Sequence, residues 1–143
     1  MVFELRVVGD MPLEAEADLD TALRRFLEQI GYIERDSKDN IGFQIFRNCF
    51  IERPEKVWTA DEISLTVKTS KPTVYRYIRK LKSIGLIEEG TTRTDDAPPR
   101  KGYILRYGDL SRAWVFVDSN VKVAMQNYQR SVEHIAKLAK KRD

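Results

Sequence analysis

Cations and hydrogen-bonding side chains recur on one face of the segment between residues 68 and 84. At 100° per residue, the side opposite Val74 and Ile78 carries arginine, lysine and hydroxyl groups. Arginine can donate two hydrogen bonds to a guanine edge in the major groove of B-DNA, and lysine binds phosphate. These residue types are therefore suited to contact with duplex DNA. The residues predicted to make that contact are Lys68, Ser70, Lys71, Thr73, Tyr75, Arg76, Arg79, Lys80 and Lys82.

An ordinary solvated helix face is the alternative interpretation of the same cations. The distribution of charge along the chain bears on this choice. The 143 residues carry a formal charge of only +3, yet residues 68–106 hold ten basic and four acidic side chains. Residues 1–58 hold eight basic and twelve acidic ones. A basic segment attached to an acidic body is the asymmetry expected of a DNA-binding domain.

Few residues could support catalysis or metal binding. Cys49 is the only cysteine and His134 the only histidine, so one chain cannot form a Cys/His zinc cluster. Catalysis of the Ser-His-Asp or Cys-His type is not supported, and no glycine-rich phosphate-binding loop is present. Cys49 lies among phenylalanines and is predicted to fill the core. We expect a protein that is not an enzyme and that needs no cofactor or metal.

Two short helices joined by a tight turn are predicted around the cationic segment. The pattern from Thr59 to Glu62 is a capping box, in which side chains and backbone amides bond reciprocally, so a helix begins there. That helix must end before Pro72, which opens the next helix. The second helix has Ser70 or Lys71 as its cap and runs to Ile84. This arrangement is a helix-turn-helix.

A β-hairpin is predicted directly after the second helix. Leu86 to Glu89 and Tyr103 to Tyr107 have strand character, and a long polar connection separates them. Asp95 and Asp96 would be repelled by phosphate, so we expect the tip of this wing to point aside. A wing with no role in DNA binding is the alternative. The wing cations predicted to reach phosphate or the minor groove are Arg93, Arg100 and Lys101.

The stretch from Trp58 to Tyr107 resembles the winged helix-turn-helix domain of prokaryotic transcriptional regulators. The resemblance is carried by Ser70-Lys71-Pro72-Thr73-Val74-Tyr75-Arg76, by Leu81 and by Gly85-Leu86-Ile87, which are similar to the recognition-helix signature of that family. It implies a mainly α fold with a small β-hairpin wing. It also implies that residues 71–84 enter the major groove and that residues 88–106 contact the adjacent backbone or minor groove.

The chain before this stretch is predicted to add further elements. Val2 to Val8 has the pattern of a short strand. A helix is predicted to begin between Asp10 and Pro12 and to end at Gly31. A second helix, from Ile41 to near Arg53-Pro54, carries phenylalanines on one face. By the resemblance, this second helix is the first of the three helices of the winged domain.

A long helix is predicted from Asp109 onward. Apolar residues recur there at alternating steps of three and four, which is typical of a helix that packs against another helix. Its length of about 45 Å exceeds what one small domain can cover, so we expect packing against a second copy. The alternative is packing on the N-terminal helix of the same chain, and Asp118 to Asn120 could break the helix. The predicted dimer-interface residues are Trp114, Val117, Val121, Ala124, Tyr128, Val132, Ile135 and Leu138.

These predictions divide the chain into an N-terminal extension (1–39), a winged helix-turn-helix domain (40–107) and a C-terminal dimerisation helix (108–143). No apolar run approaches the roughly 18 residues of a membrane span and no secretory signal is recognisable, so we expect a cytoplasmic protein with no membrane partner. The expected function is sequence-specific regulation of transcription by a homodimer on double-stranded DNA, with two half-sites about one helical turn apart.

Two alternatives remain open at the level of sequence. A winged helix also serves as a protein-interaction module in transcription-related or other multi-subunit assemblies. A small-molecule effector, of unknown identity, would add to the regulatory function rather than replace it. The aromatic residues that either line such an effector pocket or fill the core are Tyr32, Trp58, Trp114 and Phe116.

Overall fold

The computed structural model describes residues 2–9, 11–35 and 40–142, and shows a mainly helical chain with one hairpin. The helices are α1 (Leu19–Gln29), α2 (Ile41–Ile45), α3 (Ala60–Val67), α4 (Lys71–Ile84) and α5 (Leu110–Lys140). A π-helical segment, Phe46–Ile51, continues α2, and a 3-10 turn, Arg106–Gly108, precedes α5. The strands are β1 (Ile87–Thr91) and β2 (Lys101–Leu105), which pair antiparallel.

The predicted N-terminal strand is wrong. Residues 2–9 contain no strand and contact two different helices instead. The backbone N–H of Glu4 donates to the carbonyl of Ser83 at the end of α4, at 2.8 Å. The N–H of Val8 donates to the carbonyl of Gln29 at the end of α1, at 3.2 Å. Because these two bonds lead to different helix ends, no partner strand runs beside the segment to form a ladder.

The predicted helix start between Asp10 and Pro12 is also wrong. Asp10 lies outside the described residues, but α1 begins only at Leu19. The cap is Asp18, whose carboxylate accepts hydrogen bonds from the backbone amide and the hydroxyl of Thr21 at 2.9 and 2.6 Å. These bonds hold the pKa of Asp18 below its ordinary value. Both sites offer an aspartate as a cap, and the structure uses the second.

The core forms where α2 and its π-helical continuation meet α3 and α4. Phe46, Cys49 and Phe50 are all fully buried there, as their spacing predicts. The hydroxyl of Tyr32 donates to the carbonyl of Gly42 at 2.7 Å, which ties the chain after α1 to the start of α2. The three helices α2, α3 and α4 are therefore held as one unit under the hairpin.

The hairpin is shifted relative to its predicted bounds. Its register pairs Ile87 with Leu105 and Thr91 with Lys101. The first strand therefore begins one residue later and ends two residues later than predicted, and the second begins and ends two residues earlier. Tyr107 was expected at the end of the second strand, but its φ of 60° is left-handed and cannot continue a strand.

The chain just before α3 anchors the hairpin. Trp58 exchanges two backbone hydrogen bonds with Tyr103 of β2, at 2.7 and 2.8 Å. Thr59 then begins the capping box: its side chain accepts from the amide of Glu62, whose carboxylate accepts from the amide of Thr59. The capped start of α3 and the wing are thus fixed to each other through adjacent residues.

The C-terminal helix α5 is continuous over 31 residues, about 46 Å. It begins where predicted, because the Asp109 carboxylate accepts from the amide of Arg112 at 3.0 Å. The break considered at Asp118 to Asn120 does not occur. The Ser119 hydroxyl donates to the carbonyl of Val115, one turn earlier, at 2.9 Å. Ser119 therefore lies within the helix and does not cap a new one. No helix in the described part of the chain combines the length and apolarity needed to cross a membrane.

The first turns of α5 pack on their own chain. The Trp114 ring meets the Phe26 ring of α1 edge to face, with centroids 5.3 Å apart. Val117, a predicted dimer-interface residue, is only 1% exposed and contacts the region of Gly85 at the end of α4. Val117 is therefore a core residue of a single chain, which corrects its assignment to the interface. The alternative of packing on the N-terminal helix holds for this first part of α5.

Candidate nucleic-acid interface

The turn between α3 and α4 is fixed by local hydrogen bonds. Lys68 ends α3 in a left-handed conformation, with φ of 55°. The Ser64 hydroxyl donates to the carbonyl of Thr69 at 2.5 Å, and the amide of Thr69 donates back to the carbonyl of Ser64 at 3.1 Å. Ser70, rather than Lys71, is the cap of α4. The side chain of Lys68 is exposed beside this rigid turn.

Helix α4 has a buried face and, opposite it, a cationic face. Val74, Ile78 and Leu81 are at most 1% exposed, as predicted. Tyr77 is buried as well. The opposite side carries Arg76, Arg79 and Lys80, all exposed, and we call these three residues the cationic face.

An aromatic ring lies beneath two of these cations. The Arg76 guanidinium lies 4.9 Å from the centroid of the Tyr77 ring, and the Lys80 ammonium lies 5.3 Å from it. Such contacts orient a cation without satisfying its hydrogen-bond donors. Within the described residues, no hydrogen bond or ion pair engages either side chain, so their N–H groups remain for another partner.

The polar residues at the start of α4 are partly engaged within the helix. The Ser70 hydroxyl donates to the Thr73 hydroxyl at 3.0 Å and accepts from the amide of Thr73 at 3.4 Å. Thr73 is half-buried, whereas Tyr75 is 41% exposed. Tyr75 is therefore more accessible than Thr73 to a partner outside the chain.

Asp61 of α3 pairs with two of the predicted DNA-contacting cations. Its carboxylate lies 2.5 Å from the Lys71 ammonium, at the start of α4, and 2.7 Å from the Arg100 guanidinium, just before β2. The hydrogen bonds from Lys71 and then Arg100 hold the pKa of Asp61 below its ordinary value, and Asp61 raises the pKa of Lys71. One carboxylate therefore joins α4 to the wing.

Glu89 of β1 makes a second connection of the same kind. Its carboxylate lies 2.7 Å from the Lys82 ammonium, in the last turn of α4, and 3.1 Å from the Lys101 ammonium of β2. These bonds lower the pKa of Glu89, and Glu89 raises the pKa of Lys101. We call the Asp61 and Glu89 clusters the helix–wing bridges. Sequence reasoning named their four cations but neither carboxylate.

The connection between the two strands of the wing is exposed from residue 93 to residue 100. The amide of Thr92 donates to the carbonyl of Arg100 at 2.8 Å, which extends the pairing beyond the strands. Thr94 and Ala97 then form an isolated bridge that closes the tip. Arg93 is exposed between these two closures.

Arg106 has a structural role that the sequence did not indicate. Its guanidinium lies 3.8 Å from the centroid of the Phe116 ring of α5 and donates to the carbonyl of Gly85 at 2.8 Å. It also lies 3.5 Å from the carboxylate of Glu88. Arg106 thus joins the end of α4, the wing and the start of α5.

The N-terminal segment lies beside the C-terminal half of α4, a placement that no local sequence signal could have indicated. One cleft along the segment is lined by Val2, Arg79 and Lys82, and another by Arg6 and Lys80 among others. Residues 2–9 therefore approach the cationic face from the side of the helix end.

The remaining candidate groups lie in the core or on the surface. Burial raises the pKa of the Cys49 thiol to about 12, and His134 is exposed on α5. Within the described ranges, no three His, Cys, Asp or Glu side chains are grouped so that they could hold a metal ion. The aromatic residues considered for an effector pocket pack instead: Tyr32 and Trp58 are buried, and the Phe116 ring contacts that of Phe3.

No protein-family model matches this chain, and no curated protein matches it. Several solved structures are similar to it. A possible transcriptional regulator from Methanosarcina mazei is 14% identical, with a TM-score of 0.44 over 67% of this chain and 78% of that one. MepR, a transcription regulator of the Staphylococcus aureus multidrug efflux pump MepA, is 17% identical, with a TM-score of 0.41 over 85% of each chain. MepR from S. aureus bound to ethidium bromide is 17% identical, with a TM-score of 0.40 over 85% of this chain and 87% of that one.

Similarities at this level do not extend to function. The fold is defined by the chain's own elements. Helices α2, α3 and α4 are followed directly by the antiparallel β1–β2 hairpin, with α4 presenting its cations outward. This order and packing are those of a winged helix-turn-helix, to which the chain adds an N-terminal segment with α1 and the long helix α5.

Proposed function

We propose that this protein is a sequence-specific, double-stranded DNA-binding transcriptional regulator that acts as a homodimer. One observation carries the proposal: the helix–wing bridges place cations of α4 and cations of the wing around shared carboxylates, so both sets lie on one surface. The cationic face lies on the same helix, farther around it from the wing. Basic side chains on a helix and on a neighbouring hairpin suit a groove and its adjacent phosphates.

The proposed roles follow from accessibility. Arg76 and Arg79 approach base edges in the major groove, with Tyr75 and Thr73 beside them. The cations that contact phosphates and set the orientation on the duplex are Lys68, Lys71, Lys80 and Lys82, with Ser70 at the helix start. The wing cations Arg93, Arg100 and Lys101 contact the adjacent backbone or the minor groove.

The dimer is proposed from the uncovered part of α5. Beyond Val117, the apolar residues predicted for the interface become progressively uncovered: Val121 and Ala124 are half-buried, and the four that follow are between 52% and 63% exposed. A long helix with such a stripe buries it by pairing with another copy. We call this set the apolar stripe: Val121, Ala124, Tyr128, Val132, Ile135 and Leu138. Pairing relates the two recognition helices by a two-fold axis, so the operator is expected to be a pseudo-palindrome.

Substitution of Arg76 tests the DNA-binding role. Duplexes are first selected by the wild-type protein from a random-sequence library. Arg76→Ala is then expected to lose about 1–3 kcal/mol of discrimination at the base pairs it contacts. Fluorescence anisotropy on selected and scrambled duplexes at several salt concentrations measures this loss. Arg130→Ala removes the same charge from exposed α5 and serves as the control.

Two outcomes would contradict the proposal. Absence of wild-type binding to any duplex at low salt would show that the protein does not bind DNA. Unchanged affinity and sequence preference in Arg76→Ala would show that α4 is not the base-contacting element. Recovery of a stoichiometric protein partner without salt-sensitive DNA binding would instead support the protein-interaction module.

A further inference from the structure

We infer that Asp61 and Glu89 are specificity-determining residues of the DNA interface, and this inference rests on the proposed function. Each carboxylate holds one lysine of the recognition helix and one cation of the wing. The pairs are Lys71 with Arg100 on Asp61, and Lys82 with Lys101 on Glu89. By holding these cations, the two acids reduce attraction to arbitrary duplexes while leaving base recognition to other side chains.

The bridges are placed at both ends of α4. Lys71 is the first residue of the helix and Lys82 lies in its last turn. Asp61 and Arg100, joined at 2.7 Å, are 39 residues apart in the chain. The orientation of the wing relative to the recognition helix is thus fixed at two separated points. A duplex must match this preset geometry to engage the helix and the wing together.

The bridges also change the electrostatics of the free protein. Four cations of the proposed interface share two carboxylates, so half of their charge is compensated before DNA arrives. Non-specific binding depends almost entirely on cations neutralising phosphates, whereas specific binding adds base contacts. Compensation therefore weakens non-specific binding proportionally more. Arg76, which takes part in neither bridge, keeps its hydrogen-bond donors for a base edge.

The ordinary alternative is that these are surface ion pairs with little consequence. Exposed pairs contribute little to stability, and the side chain of Asp61 is 39% exposed. The two interpretations predict a different dependence of DNA affinity on salt concentration. If the carboxylates compete with the phosphates of an arbitrary duplex for these four cations, removing a carboxylate must increase the number of phosphates that the protein neutralises on such a duplex. If the pairs are incidental, only the net charge changes.

The test compares Asp61→Asn and Glu89→Gln with the wild type on a selected duplex and on a scrambled duplex of equal composition. Affinity is measured over a salt series. Each variant is expected to bind the scrambled duplex several-fold more tightly, with a smaller gain on the selected one. On the scrambled duplex, the slope of log affinity against log salt should steepen by up to about 1.8 per carboxylate, from two additional phosphates.

Matched controls separate bridge release from added charge. Asp95→Asn makes the same change in net charge on the connection between the strands, outside both bridges. It should steepen the slope much less. Asp61→Glu keeps a carboxylate and should retain a slope near the wild-type value. Because Asp61 lies in the first turn of α3, thermal melting checks that each variant is folded, and Glu89→Gln tests the inference independently of that helix.

Three outcomes would overturn the inference. Equal changes in Asp61→Asn, Glu89→Gln and Asp95→Asn would mean that only net charge matters. If the wild type selects duplexes but the folded Asp61→Asn and Glu89→Gln variants keep its salt slope, the inference is refuted and the proposed function is left intact. A wild type that binds neither duplex at low salt would refute the proposed function, and the inference with it.

Discussion

Individual carboxylates in this protein connect elements that are far apart in the chain. The pKa values of Asp61 and Glu89 are both lowered by neighbouring cations. A lowered pKa means that the ionised form stabilises the folded chain above the ordinary pKa of the group. That contribution is lost as the pH falls through the lowered value in the folded state. Both bridges are therefore intact at neutral pH, where DNA binding is proposed.

The buried thiol of Cys49 is expected to be unreactive in the folded protein. Cys49 is fully buried, and burial raises the pKa of its thiol to about 12, so almost no thiolate forms at neutral pH. Iodoacetamide is expected to leave the folded protein unmodified and to alkylate this residue completely in denaturant. Mass spectrometry of the intact chain distinguishes the two. Rapid alkylation under native conditions would show that the helix around Cys49 opens readily.

At the scale of elements, short-range hydrogen bonds set where most helices begin. Thr59, Ser70 and Asp109 each accept a bond from the amide three residues later. Each therefore satisfies one of the amide groups that a helix start leaves without a partner. The wing depends instead on contacts between elements, since β2 is held by the chain before α3.

The attachment of the wing can be tested at Gly102. A Cβ atom at this position would lie 2.7 Å from the carbonyl oxygen of Trp58 and 2.7 Å from a methyl group of Val57. Because the first contact is backbone, Gly102→Ala must displace β2 and is expected to cost about 1–3 kcal/mol of unfolding free energy. Urea denaturation measures the cost. Gly9→Ala, whose Cβ has no atom of the described chain within 4 Å, is the control and should be nearly neutral.

At the scale of the whole molecule, α5 has two different parts. Its first turns are buried against α1 and the end of α4, where Ala113 is fully buried and Val117 nearly so. Its later turns extend away, with Tyr128 63% and Ile135 62% exposed. A helix about 46 Å long projects beyond the domain that it starts from. The apolar stripe on that projection is the surface proposed to join two chains.

Substitution in the apolar stripe tests this assembly. Val132→Glu would place a carboxylate in the proposed interface without a cation to pair with it, at a cost of about 3 kcal/mol or more. A dimer in the wild type and a monomer in this variant are expected by light scattering at micromolar concentration. Gln126→Glu adds the same charge about 120° around the helix and should leave the dimer intact. A monomeric wild type would contradict the homodimer itself.

The sequence by itself determined the local elements of this protein. The capping box at Thr59, the Pro72 start of α4 and the Asp109 start of α5 all involve residues within one turn of one another. Apolar periodicity likewise assigned the buried face of α4. The local signal for the start of α1 was ambiguous, because aspartates at 10 and 18 both suit a helix cap. Local signals were less exact for the hairpin, whose bounds depend on its docking to Trp58.

Only the tertiary structure decided which distant residues meet. No pattern in the sequence links Asp61 to Arg100, because their contact depends on how the wing folds back toward α3. Nor does the apolar periodicity of α5 indicate that Val117 is buried within one chain while Val132 is exposed. Caps and helical faces arise from interactions over three or four residues, which the order of residues specifies directly. Ion pairs between elements, and the division of α5 into covered and uncovered parts, depend on the packing of the whole chain.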